Sequence, residues 1–165
     1  MPILPDEALD MLRSLCKKEH PNIIIGTSMG GMFAGQLRGY RKILVNPAFH
    51  VSEFMRTQIG VHEFLNPRQD GKTQYEITSE LCDAYQAIEK CQFEDLSPFD
   101  QNKTYALFGK NDTLVHGHDE FIAHYKKDNA RWFEGEHRLN FEITKDIVVP
   151  LIHLSLIHIS EPTRH

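Results

Sequence analysis

A short apolar run that ends in Gly-x-Ser-x-Gly constrains this chain most: Ile23-Ile24-Ile25-Gly26-Thr27-Ser28-Met29-Gly30-Gly31. The β-branched run is too short for a helix and predicts a buried strand, and residues 29–37 are compatible with a helix that closes at Gly39. Small residues are expected at Gly26 and Gly30, because strand and helix backbones pass close together at such a corner and leave the serine exposed. We therefore predict a nucleophilic Ser28, with Gly26, Thr27, Gly30 and Gly31 forming the turn around it.

Strand and helix patterns alternate along the rest of the chain. Strands are predicted at 41–45, 104–109 and 130–133, because these are short apolar runs bounded by proline, glycine or polar residues. Helices are predicted at 6–20 with Asp6 as N-cap, and at 78–92, 118–127 and 141–152, although Pro150 weakens the last. Residues 48–103 are mixed, contain a turn at 66–71, and read as an excursion beside the site. The alternation predicts an α/β fold with a mostly parallel sheet of about four strands flanked by helices.

Composition narrows the function classes. With 165 residues, 41% of them apolar, the chain is long enough for one domain with a core. A net charge of −5 without a basic run argues against a nucleic-acid partner. The three cysteines show no Cys-x-x-Cys spacing, so reduced thiols and a cytoplasmic location are expected. No apolar stretch approaches the ~20 residues of a membrane span, so no membrane partner is expected either.

A serine nucleophile needs a base within hydrogen-bond reach and a carboxylate that orients the base. Asp112 follows the predicted strand 104–109, and His137 follows the strand 130–133. Since the carboxyl ends of parallel strands meet at one edge of the sheet, both side chains would converge on Ser28. Taken singly, Asp112 could be a turn-forming residue and His137 an ordinary loop histidine. Their order and placement together predict a Ser28–His137–Asp112 triad.

Other polar residues give weaker predictions. His116 and His118 form a His-x-His pair that could bind zinc, but no third ligand stands at a suitable spacing, and we predict no metal site and no cofactor. Four aromatic residues could line a pocket or fill the core: Tyr40, Phe49, Phe54 and Phe64. The acidic neighbours of His137 could raise its basicity or simply be solvated.

Four segments together resemble successive signatures of the YqiA-like esterases, small bacterial α/β-hydrolases. These segments are Gly26-Thr27-Ser28-Met29-Gly30-Gly31-Met32, Val45-Asn46-Pro47-Ala48, Gly109-Lys110-Asn111-Asp112 and Glu134-Gly135-Glu136-His137-Arg138. The resemblance covers roughly residues 2–152. It implies the three-layer α/β-hydrolase fold and carboxylic-ester hydrolysis, with Ser28 as nucleophile, His137 as general base and Asp112 as its orienting partner. It also agrees with an excursion that wanders over the site.

Both ends of the chain depart from that family pattern. Family members begin with further strands and a loop that shapes the oxyanion hole, so residues 1–153 are expected to be the C-terminal part of the domain. The Met29 N–H would then supply one oxyanion donor, while the second would be missing. Residues 154–165 include a near repeat of Leu151-Ile152-His153-Leu154-Ser155 and are interpreted as a non-native tail.

The sequence thus predicts a carboxylesterase-type serine hydrolase that acts on a small-molecule ester through an acyl-enzyme. A thioesterase or another acyl hydrolase on the same triad is an alternative. A second alternative is a catalytically inactive fragment that self-associates through an exposed sheet edge. Only substrate profiling would separate the first alternative, whereas size-exclusion behaviour would identify the second. Asp112→Asn tests the role of Asp112, and fluorophosphonate labelling tests whether the triad assembles.

Overall fold

A computed structural model of the chain describes residues 2–157. Four parallel strands form the central sheet in the order β1-β2-β5-β6. These strands are β1 (Ile24–Thr27), β2 (Lys42–Val45), β5 (Thr104–Gly109) and β6 (Ala130–Phe133), and all four lie where the apolar runs predict them. The two inner strands, β2 and β5, are buried on both faces, which is why they appear in the sequence as continuous apolar runs and not as alternating ones. The outer strands of the described sheet are partly exposed, with Ile25 of β1 at 43% and Trp132 of β6 at 51%.

Helices cover both faces of this sheet and make three layers. Helix α2 (Met29–Gly35) and helix α6 (His118–His124) lie on one face, where Phe121 and Ala34 pack against Leu44 and Ala106. The C-terminal helical segment covers the other face. It consists of α7 (Phe141–Ile143), a π-helical turn (Thr144–Val148) and α8 (Val149–Ile157), and its Val148 and Leu151 pack on Ile43, Val45 and Leu107. The α/β-hydrolase fold expected from the resemblance is confirmed.

A third cluster of apolar side chains joins the N-terminal helix to the excursion. Helix α1 (Pro5–Glu19), α3 (Val51–Arg56), α4 (Ser79–Lys90) and α5 (Pro98–Lys103) lie outside the sheet. Ala8 and Leu9 of α1 meet Met32 and Phe33 of α2 and Tyr85 of α4 in this cluster. Met32 and Phe33 are fully buried there, so they are packing residues beneath the corner.

Several local predictions were wrong in detail. Leu4, and not Asp6, precedes α1 as its N-cap, because Pro5 takes the first helical position and needs no N–H partner. Helix α6 ends at His124, three residues before the predicted end. The helix expected to weaken at Pro150 continues to Ile157, and the π-helical turn directly precedes it, where a proline removes a backbone donor.

The excursion contains a hairpin that the sequence pattern did not predict. Strand β3 (Gly60–Glu63) pairs antiparallel with β4 (Gln74–Ile77), and the predicted turn at 66–71 lies in the long loop between them. Four residues on each side give too few alternations to stand out from a loop.

The interpretation of residues 154–165 as a tail falls partly outside the described residues, since 158–165 are not described. Residues 154–157 continue α8, and the Ser155 carbonyl accepts a hydrogen bond from Arg41.

The three cysteines are free thiols, two of them buried. Within residues 2–157, no helix is both long and apolar enough to cross a membrane.

Candidate active site

Ser28 occupies a strained corner between β1 and α2. Its φ of 53° and ψ of −124° are unusual for a residue other than glycine, and such strain persists only where neighbours hold the backbone. The Ser28 amide donates to the Val45 carbonyl at 2.9 Å, and the Ser28 carbonyl accepts from the amides of Ala48 at 3.0 Å and Gly31 at 2.9 Å. These contacts fix the corner and turn the side chain out of the sheet edge.

The two glycines that flank Ser28 have different surroundings. A Cβ at Gly26 would lie 2.2 Å from the carbonyl oxygen of Gly30, so β1 and α2 do pass as closely as predicted. A Cβ at Gly30 would meet nothing within 4 Å, and the expectation that Gly30 must be small for the same reason is wrong. A Cβ added at Gly31 would lie 2.9 Å from Cβ of Pro47, so this position also has no room for a side chain. The backbone of Gly30, and not its missing side chain, makes the close approach.

The structure brings Ser28, His137 and Asp112 together in one hydrogen-bonded row. His137 Nε2 lies 2.9 Å from Ser28 Oγ, and His137 Nδ1 lies 2.8 Å from Asp112 Oδ2. Because a carboxylate can only accept, Nδ1 carries the ring proton and Nε2 accepts from the Ser28 hydroxyl. This tautomer is the one that allows Nε2 to remove the hydroxyl proton.

Asp112 is held on both of its carboxylate oxygens. Its side chain is 2% exposed, and Oδ1 accepts from the amides of Leu114 at 2.8 Å and Val115 at 3.1 Å. The residue therefore forms the turn that the sequence suggested and orients His137 at the same time. The turn-forming role and the orienting role, which were alternatives for Asp112 in the sequence, therefore both apply.

A pocket of about 390 Å³ opens beside Ser28 and His137. Its walls come from the start of the excursion and from the loop after β5, and they are largely apolar: Phe49, Val51, Phe54, Leu114 and Val115. Of the four aromatic residues that were predicted either to line a pocket or to fill the core, Phe49 and Phe54 are found in this wall, and Tyr40 and Phe64 are not. Phe49 is also buried in the core beneath it. No pattern in the sequence pointed to Leu114 and Val115, whose placement depends on the Asp112 turn.

Polar side chains stand at the rim of the same pocket. His50, which pairs with Glu120, and His116 both line the pocket. His118, the second member of the predicted His-x-His pair, instead contacts Asp119 and lies tilted against Trp132, with 4.8 Å between the ring centroids. Across the part of the chain that the structure describes, no group of three or more His, Cys, Asp or Glu side chains could hold a metal ion.

The Met29 amide stands at the first position of α2, directly after the nucleophile. Among residues 2–157 no acceptor takes a hydrogen bond from this N–H, so it is free to bind an oxyanion. The acidic residues near His137 lie differently: Glu134 pairs with Lys110, and Glu136 is exposed, so neither contacts the imidazole.

Solved structures of α/β-hydrolases resemble this chain at low sequence identity. The monoacylglycerol lipase of Paleococcus ferrophilus matches with a TM-score of 0.58 and 11% identity, over 93% of this chain and 76% of that one. A putative hydrolase from Agrobacterium vitis S4 matches with 0.59 and 18%, over 89% and 66%. Mouse alpha/beta hydrolase domain-containing protein 10 matches with 0.59 and 12%, over 94% and 70%. The chain thus spans about two thirds to three quarters of their lengths.

The family comparison is more specific than the structural one. A search of curated proteins finds no significant match. Residues 2–152, in contrast, match the uncharacterised protein family UPF0227. This range is the one over which the sequence resembles the YqiA-like proteins. Because the match spans nearly the whole chain, the protein belongs to the uncharacterised protein family UPF0227.

Proposed function

We propose that the protein is a serine hydrolase that cleaves carboxylic esters through an acyl-enzyme. The observation that carries the proposal is the row of distances from Ser28 Oγ to His137 Nε2 and from His137 Nδ1 to Asp112 Oδ2, 2.9 and 2.8 Å. The position of this row at the mouth of an apolar pocket supports it. The lipases and hydrolases among the similar structures are consistent with it.

The proposed reaction has two steps. In the first, Ser28 Oγ attacks the ester carbonyl carbon while His137 Nε2 takes the hydroxyl proton, and the imidazolium then gives this proton to the departing alcohol. In the second, His137 removes a proton from water, which attacks the acyl carbonyl; the imidazolium then returns this proton to Ser28 Oγ as the bond from Oγ to the acyl carbon breaks and the carboxylic acid leaves. The Met29 amide donates to the oxyanion of both tetrahedral intermediates. The chemistry needs no cofactor.

The pocket favours small, uncharged esters. Its volume of about 390 Å³ lies near the lower end of the range for small-molecule sites. Phe54 and Leu114 at its mouth are 64% and 70% exposed, so the entrance is apolar and open. Thioesters could use the same triad, and paired acyl substrates that differ only in the leaving atom would separate these two reactions.

The first test is labelling of the purified chain by a fluorophosphonate probe, with the modified residue mapped by mass spectrometry. We expect the label on Ser28 and its loss in Ser28→Ala and His137→Ala. His116→Ala is the matched control, because this histidine lines the same pocket without contacting Ser28. A folded chain that is not labelled, or that is labelled equally in His137→Ala, would contradict the proposal. Hydrolysis of oxygen esters and of matched thioesters would then define the substrate class.

A further inference from the structure

The side-chain amide of Asn46 forms hydrogen bonds through both its nitrogen and its oxygen, and these bonds link two loops of the site. Its Nδ2 donates to the carbonyl oxygens of Glu136 at 3.1 Å and His137 at 3.0 Å, and its Oδ1 accepts from the Gly109 amide at 2.7 Å. The residue is 2% exposed and follows the end of β2. One side chain thus connects the loop that carries His137 to the end of the strand that leads to Asp112.

The sheet order explains why such a connection is needed. Ser28 follows β1 and His137 follows β6, and β2 and β5 lie between them. Neighbouring strands are about 4.8 Å apart, so the His137 loop must reach back over roughly 14 Å of sheet edge. Asn46 stands at the end of β2 and Gly109 at the end of β5, which are the two strands that the loop crosses.

Among the described residues, the other hydrogen bonds to the backbone of this loop act on its beginning and not on the backbone of His137. The Asn111 amide donates to the Gly135 carbonyl at 3.0 Å, and a Cβ at Gly109 would lie 2.7 Å from the Glu136 carbonyl oxygen. Among the described residues, Asn46 is the one side chain that hydrogen-bonds the backbone of residues 134–139. Its bond to the His137 carbonyl therefore acts on the very residue whose ring must point at Ser28.

Asparagine suits this position for two physical reasons. The backbone of Asn46 has a φ of 43°, a left-handed conformation that asparagine tolerates better than most residues. Its amide presents two donors and an acceptor, and the observed orientation is fixed, since the reverse one would set Oδ1 against two carbonyl oxygens. An aspartate of the same shape would keep the bond from Gly109 and lose both donors.

We propose that Asn46 is a positioning residue for His137 in the serine hydrolase proposed above, an inference that rests on that function. It holds the His137 loop across β2 and β5 so that Nε2 stays within hydrogen-bond distance of Ser28 Oγ. A displacement of about 1 Å at a reacting group can lower a rate by about 10²-fold. Loss of this contact should therefore slow the reaction and leave substrate binding in the pocket nearly unchanged.

Asn129, which directly precedes β6, provides a matched control at the opposite end of the sheet. It is 5% exposed, and its Nδ2 donates to the carbonyl oxygens of Asn102 at 2.9 Å and Thr104 at 3.0 Å. Asn129→Asp therefore removes two equivalent buried hydrogen bonds from the amino end of β5, far from Ser28. A purely structural contribution would be similar at both asparagines.

The experiment compares Asn46→Asp and Asn129→Asp in the full chain. We expect Asn46→Asp to lower kcat for a soluble ester, and the rate at which the fluorophosphonate modifies Ser28, by about 10- to 100-fold with KM nearly unchanged. Asn129→Asp should stay near the wild type in both rates despite a similar loss of stability. If Asn46→Asp does not fold, Asn46→Gly, which keeps the left-handed backbone, takes its place. Equal rates in the wild type and the Asn46 variant, or equal losses in both variants, would overturn the inference.

A second readout separates this inference from the proposed function. The ring carbon-bound proton resonances of His137, assigned by their absence in His137→Ala, should shift in Asn46→Asp and stay unchanged in Asn129→Asp. If the wild type is not labelled by the probe, the proposed function fails, while these resonances still test whether Asn46 positions the ring. Unshifted His137 resonances in Asn46→Asp would overturn the positioning role whatever the activity.

Discussion

The two glycines of the Gly-x-Ser-x-Gly corner should respond oppositely to an added methyl group. At Gly26 the new carbon would lie 2.2 Å from the Gly30 carbonyl oxygen and 2.7 Å from Cβ of Ala34. At Gly30 it would meet nothing within 4 Å. Gly26→Ala must therefore push α2 away from β1, whereas Gly30→Ala requires no movement.

The size of the effect follows from the contact distances. Ordinary contact begins at 3.4 Å, so the Gly30 carbonyl must retreat by about 1.2 Å, and a backbone atom cannot rotate away as a side chain would. Overpacking of this kind costs about 1–3 kcal/mol, and we expect Gly26→Ala at the upper end. Gly30→Ala should raise the free energy of unfolding by about 0.5–1 kcal/mol, because alanine is the better helix former.

Urea denaturation followed by circular dichroism would measure both free energies of unfolding, and the fluorophosphonate labelling rate of Ser28 would report on the corner. Gly26→Ala should lose stability and labelling together, since the displaced helix begins at the residue after the nucleophile. Gly30→Ala should keep both. Equal free energies of unfolding in the two variants would refute the argument that the backbone approach of β1 and α2 decides the role of this motif.

Four further outcomes follow from individual contacts. Asp112→Asn should lower kcat by about 10³–10⁴-fold, because an amide in this position favours the wrong tautomer. Burial alone would raise the pKa of Asp100, but hydrogen bonds from Lys42, from Ser97 and from a backbone amide lower it. The ionised carboxylate therefore stabilises the fold fully above its unfolded pKa of about 3.9, and this contribution is lost as the pH falls below that value. In urea denaturation across about pH 2.5–6, the free energy of unfolding of Asp100→Asn should depend less on acid than that of the wild type. Tyr125→Phe should raise the free energy of unfolding by about 1 kcal/mol, since its buried hydroxyl has no partner among the described residues. If the free edge of β1 drives self-association, Ile25→Lys should abolish any concentration-dependent oligomer in sedimentation velocity, because Ile25 is 43% exposed there.

The central sheet could be predicted because its strands are short apolar runs, and the inner strands β2 and β5 are buried on both faces. Residues 104–109 and 130–133 are strands over the predicted ranges, and the serine strand differs by one or two residues at its ends. The hairpin of β3 and β4 could not be predicted, since its pairing depends on the packing of the excursion and not on a local pattern. The cap of α1 was misassigned because Asp6 and Pro5 both suit a helix start, and proline has the more restricted choice of position.

The three residues Ser28, Asp112 and His137 could be brought together from sequence, since each follows a strand of one parallel sheet. The residues that surround and hold these three could not be predicted. In the sequence Asn46 belongs to a signature segment but has no assigned role, and its three hydrogen bonds exist only after β2, β5 and the His137 loop have come together. Likewise Gly30 fits the motif as well as Gly26 does, and only the crossing of β1 and α2 shows which of the two is confined.

Stability and reactivity depend on the same contacts at this corner. The backbone of Ser28 lies in a conformation that costs about 1–3 kcal/mol, so it would relax if it were held by a single bond. It is held instead by bonds to Val45, Ala48 and Gly31, which belong to the neighbouring strand, the start of the excursion and the following helix. Any change that loosens one of these elements relieves the strain and withdraws the serine from His137. A substitution such as Gly26→Ala must therefore act on labelling even where the chain remains folded.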